Sequence, residues 1–99
     1  MKKTDFGIDL NSAYGKYWLD KDTFLVCYDL ASEEVDGKPQ KCWLETEYHA
    51  DEKRVVFVRT MEDDYGSCDS YSVEKLLPKK VIKHILADYK AILGDKLVL

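Results

Sequence analysis

The stretch "EDDYGSCDSY", residues 62 to 71, gathers four carboxylates, a thiol, two serine hydroxyls and two tyrosines into ten positions. Such a set could hold a metal ion, carry out acid–base or thiol chemistry, or present an acidic surface to a partner. A calcium loop needs oxygen ligands at positions 1, 3 and 5, glycine at 6 and a bidentate glutamate at 12. With Gly66 at position 6, the ligand positions fall on Met61, Asp63, Tyr65 and Ser72, and only Asp63 fits. With Gly37 there instead, position 12 is Trp43, which also fails. The stretch therefore reads as a solvated strand-to-helix loop in which Glu62, Asp63, Asp64 and Asp69 steer a basic partner. Tyr65 and Tyr71 supply amphipathic contact area in that reading.

A second group suggests nucleophilic chemistry. Cys27, Glu47 and His49 fall on alternating strand positions and would share one sheet face, the shape of a Cys–His–acid arrangement. Thiolate formation needs a positive neighbourhood or a helix N-terminus, and the local sequence offers acids instead. Cys27, Trp43 and His49 thus outline a rival reading as a small enzyme or ligand-binding domain, while Glu45 and Glu47 make a second acidic patch. No CxxC pair, GxGxxG loop or GxxxxGK loop occurs, and the two histidines lack zinc-ligand spacing. No cofactor and no metal are expected.

Charge is unevenly spread. Residues 4 to 74 hold 17 acidic against 7 basic residues, whereas residues 75 to 99 hold 6 lysines against 2 aspartates. An acidic majority of this kind repels a phosphate backbone and attracts basic proteins. Three cysteines, without a secretory pattern at the start, fit reduced thiols and a cytoplasmic location. No apolar run is long enough to span a bilayer.

The elements that must position these groups follow from periodicity. "YGKYWL" (14–19), "TFLVCYDLA" (23–31), "KCWLETEYH" (41–49) and "RVVFVRTM" (54–61) read as strands, the middle two alternating clearly. Asp36-Gly37 signals a hairpin. A loop of three or five residues there sets Phe24, Val26, Tyr28 and Leu30 beside Cys42, Leu44 and Tyr48. A two-residue loop would set them beside Glu45 and Glu47, so the longer loop is expected. Cys27 and Cys42 then face opposite sides and cannot bond.

From Pro78, apolar residues at 81, 82, 85, 86, 89, 92 and 93 mark one amphipathic helix, stopped by Gly94. Residues 1 to 13 are expected as a loosely tied arm, and the tail "KLVL" as a strand on a sheet edge. Together these give one two-layer α+β domain over residues 1–99, a mainly antiparallel meander of about four strands packed by the C-terminal helix. The expected function is a small acidic, non-enzymatic interaction module, an inhibitor or adaptor acting on a basic protein surface. Homodimerisation through an edge strand is a further expectation.

Overall fold

The computed structural model describes residues 2–99. Its strands are β1 (Tyr14–Trp18), β2 (Thr23–Asp29), β3 (Glu33–Val35), β4 (Lys38–His49), β5 (Arg54–Glu62) and β6 (Cys68–Ser72), followed by α1 (Lys79–Leu93). All pairings are antiparallel in the order β1-β2-β4-β5-β6, with β3 paired to the start of β4. The expected two-layer α+β meander is what forms, with two strands more than the four that periodicity marked. One of them, β6, lies inside the stretch expected to be an irregular loop. β5 runs on to Glu62, the chain turns through residues 63–67, and residues 68–72 return along β5.

The hairpin at Asp36-Gly37 corrects the expected loop length. Val35 pairs directly with Lys38, so only two residues turn, both at positive φ (+52° and +78°), as a tight primed turn demands. Yet the apolar faces match as expected: Phe24 opposes Tyr48, Val26 opposes Thr46, and Tyr28 opposes Leu44. A bulge reconciles the two facts. From Asp29 to Glu33 the chain advances four residues while the opposing strand goes from Trp43 only to Gln40, three residues. The extra residue in the 30–32 link reverses the facing of every side chain beyond it.

The inner face of the sheet is covered by α1, whose Val81, Ile85, Tyr89 and Leu93 are buried against it. Pro78 caps the helix start in an extended conformation, and Gly94 ends it at φ +57°, returning its N–H to the Lys90 carbonyl. Tyr89 reaches the sheet centre, where its hydroxyl lies 2.8 Å from Thr46 Oγ1. The tail does not join a sheet edge. It is held by the Tyr48 hydroxyl, which donates to the Val98 carbonyl (3.0 Å) and accepts from the Val98 N–H (2.9 Å).

The N-terminal segment is likewise not loosely tied. Thr4 N–H donates to the Leu76 carbonyl, Asp9 N–H to the Asp29 carbonyl, and Ala31 N–H to the Phe6 carbonyl, each at 2.9–3.1 Å. Gly7 makes the close approach at φ +68°: a Cβ there would sit 2.6 Å from Ala31 Cβ. Side chains tie it as well: Phe6, Ile8 and Leu10, at alternating positions, are half-buried against the core. β1 and β6 are the sheet edges, and β1 is interrupted by a bulge between Gly15 and Tyr17.

Candidate functional site

The residues of the acidic stretch separate once folded. Asp63 organises the turn, its Oδ1 accepting the Tyr65 and Ser67 N–H groups at 2.9 Å each. Asp64 meets Lys38 across the neighbouring hairpin at 3.4 Å, an exposed pair of small energetic weight. Tyr65 stands at the tip, 91% exposed. Asp69 and Tyr71 pair with Met61 and Arg59, and the Tyr71 hydroxyl accepts from Arg59 Nη1 at 2.7 Å. Glu62 pairs with Lys41 at the start of β4. Tyr71 is thus a structural clamp and Asp63 a turn former, while Glu62, Asp64, Tyr65 and Asp69 stay exposed, Asp64 in its pair with Lys38.

The second acidic patch and the rival group fall together instead. Strand alternation puts Cys27 of β2, with Trp43, Glu45, Glu47 and His49 of β4, on the sheet face opposite α1. Val56 and Val58 of β5 continue that face, and Tyr14 and Tyr17 of β1 complete it. Sequence reasoning missed both tyrosines because the β1 bulge hides their alternation. Trp43 Nε1–H donates to Glu45 Oε1 at 2.9 Å, and Lys41 Nζ lies 5.9 Å from the Trp43 ring centre. Among the described residues, no element packs over this outer face.

Its electrostatics are negative. Burial, then Glu45 and Glu47, push the Cys27 thiol up to about 11. Burial, then Cys27, Asp29 and Glu45, push the Tyr14 hydroxyl up to about 12. At pH 8 a thiol at about 11 is ionised in only about one molecule in a thousand, so Cys27 is a protonated, poorly nucleophilic group. Burial first and the acids second disfavour the anion, so reactivity appears only as pH rises towards that value. Alkylation with iodoacetamide at pH 8, followed by mass spectrometry, is expected to modify exposed Cys68 at least tenfold faster than Cys27 or buried Cys42. Cys27 as the fastest site would restore the thiol-enzyme reading.

At one end of the face, donor atoms of His49, Asp51 and Glu52 lie within 4.8 Å of one another. His49 already meets Glu47 through Nε2 at 3.1 Å, with Glu52 3.9 Å from Nδ1. The remaining histidine is elsewhere: His84 sits on α1 beside Asp88, with Nε2 at 3.6 Å from Oδ2. Cys68 lies on β6, far along the chain from it and in a different layer. Cys27 and Cys42 face opposite sides of the sheet and are free thiols.

No helix among the described residues is long and apolar enough to cross a membrane. Comparison with protein-family models, with curated proteins and with solved structures returns no match to this chain.

Proposed function

We propose that the chain is a non-enzymatic interaction module whose outer sheet face docks a basic surface of a partner protein, as an inhibitor or adaptor would. The supporting observation is the composition of that uncovered face. Tyr14, Tyr17 and Trp43 flank Glu45 and Glu47, where burial, reinforced by the negative field of the acids, pushes both Tyr14 and Cys27 upwards. Aromatic side chains bring large contact area at low entropic cost, and half-buried carboxylates reward an arginine or lysine placed against them. The same field disfavours a phosphate backbone. The protonated state of Cys27 weighs against the alternative of a thiol enzyme on this face. Asp64 and Tyr65, at the β5–β6 tip, form the outlying part of the acidic surface.

The test is affinity capture from source-cell lysate, followed by titration of the captured protein into isotope-labelled chain at two salt concentrations. A face-directed partner shifts the Tyr17, Trp43 and Glu47 signals and binds more weakly at higher salt. Glu45→Lys with Glu47→Lys is expected to weaken it at least tenfold, while Asp64→Ser with Tyr65→Ala retains it. The reverse pattern moves the interface to the hairpin tip. A partner indifferent to both variants overturns the reading.

A further inference from the structure

A groove of about 400 Å³ lies away from the outer face, where the N-terminal segment and the β1 bulge meet α1. That volume falls within the size range of small-molecule sites, roughly 300–1,000 Å³. Leu10 and Ala13 from the N-terminal segment, and Ala91 and Ile92 from α1, give apolar patches beside Asn11 in a lining that is polar for the larger part. Three charged or titratable groups also line it: Lys16 from the bulge, and His84 and Asp88 one turn apart on the helix.

Asp88 is held in place from below. The fully buried Tyr28 donates its hydroxyl to Asp88 Oδ2 at 2.8 Å, and His84 Nε2 lies 3.6 Å from the same oxygen. Burial and the Asp88 carboxylate push the Tyr28 hydroxyl upwards, so it keeps its proton and remains a donor. Both contacts use Oδ2, which leaves Oδ1 without a protein partner among the described residues. Lys16 enters from another element, at φ +54°, and forms no ion pair among the described residues.

The groove therefore offers an oriented carboxylate from the helix, an ammonium from the sheet, and apolar side chains around them. A simple anion would be attracted by Lys16 but repelled by Asp88, and a simple amine the reverse. A ligand bearing both charges satisfies both groups. The geometry points to a binding site for a free α-amino acid with an apolar side chain, its ammonium on Asp88, its carboxylate on Lys16 and its side chain against Leu10, Ala13 and Ile92. The site is separate from the docking face and does not depend on it.

Calorimetric or NMR titration of the full chain with L-leucine, 4-methylpentanoate and leucinamide tests each contact in turn. L-leucine is expected to bind at least tenfold tighter than either analogue, which lack the ammonium and the carboxylate respectively. Asp88→Asn should bring L-leucine down to the level of 4-methylpentanoate, and Lys16→Met down to that of leucinamide. Tyr28→Phe, which frees Asp88 without removing it, should weaken L-leucine several-fold while keeping the order of the three ligands. Lys16 is exposed, so its variant stays folded even if changes at Asp88 or Tyr28 disturb the core. Absence of L-leucine binding at millimolar concentration, or equal affinity for all three compounds, overturns the site. So does a Lys16→Met chain that binds L-leucine as tightly as the wild type.

Discussion

Tyr89→Ala is expected to destabilise the domain by about 3–5 kcal/mol, a large share of the roughly 5–15 kcal/mol that holds such a domain folded. The side chain is 0% exposed and joins the two layers. Its ring lies edge-on to Phe24 at 6.2 Å and tilted to Tyr48 at 6.3 Å between centroids. Truncation removes these contacts and leaves a cavity that strands β2 and β4, paired along their lengths, cannot collapse to fill.

The hydroxyl adds a smaller, separable part. Two hydroxyl protons serve three contacts here: Thr46 Oγ1 with the Val26 carbonyl at 2.7 Å, Tyr89 with the Phe24 carbonyl at 3.3 Å, and the 2.8 Å contact between the two hydroxyls. Tyr89→Phe is therefore expected to cost about 1 kcal/mol, the net worth of one hydrogen bond. Urea titrations followed by Trp18 and Trp43 fluorescence read both variants, with the midpoint shifting and the slope unchanged. An Ala variant costing no more than the Phe variant would mean that α1 does not anchor the core through this ring.

The inner face that Tyr89 fills was legible because burial enforces periodicity. Phe24, Val26 and Tyr28 alternate along one strand, Leu44, Thr46 and Tyr48 along the next, and both series point at Ile85 and Tyr89 of a helix written at 3.6-residue spacing. What stayed hidden has little or no periodicity. β3 has three exposed residues, and β6 has five, so neither carries an apolar stripe to read. The stretch 62–71 looked like a loop because its strand residues, Tyr71 apart, are acidic or small. The bulge at 30–32 is invisible locally, since it matters only through the register on either side of it.

The candidate sites divide in the same way. Glu45, Glu47, Trp43 and His49 were legible as one set because they alternate along a single strand. Tyr14 and Tyr17 join them only through the register of a bulged edge. Asp88 and His84 stand at a readable four-residue spacing, but nothing local pairs them with Tyr28, sixty positions away. Tyr71 was readable as a surface aromatic, and its actual role depends on Arg59, a buried cation within the mostly apolar residues 55–61 of β5.

Arg59 carries the second large effect. It is only 8% exposed, on the inner face of β5, with Nη1 donating to the Tyr71 hydroxyl and Nη2 to Glu33 Oε2, each at 2.7 Å. The Phe6 ring lies 4.8 Å from the guanidinium carbon. Burial works against the charge, yet the hydrogen bonds to Tyr71 and Glu33 outweigh it and hold the group firmly cationic. One side chain thereby ties together the N-terminal segment, the β3–β4 hairpin, β5 and β6. Nε has no partner and marks the cost of this arrangement.

Three substitutions separate charge from packing. Arg59→Ala loses the hydrogen bonds, the stacked ring and the side-chain volume, and is expected to cost about 3 kcal/mol. Arg59→Met keeps most of the volume and removes the buried charge together with its desolvation, so it should cost roughly 1 kcal/mol. Glu33→Gln keeps one hydrogen-bond acceptor and removes only the counter-charge. The glutamate is about half exposed, and water screens the remaining cation, so this change should also cost about 1 kcal/mol. Urea midpoints rank the three. Met equal to Ala would show that the charge network, rather than the packed stem, holds the segments together. Glu33→Gln as the costliest would show that Arg59 depends on its counter-ion more than on Tyr71 and Phe6.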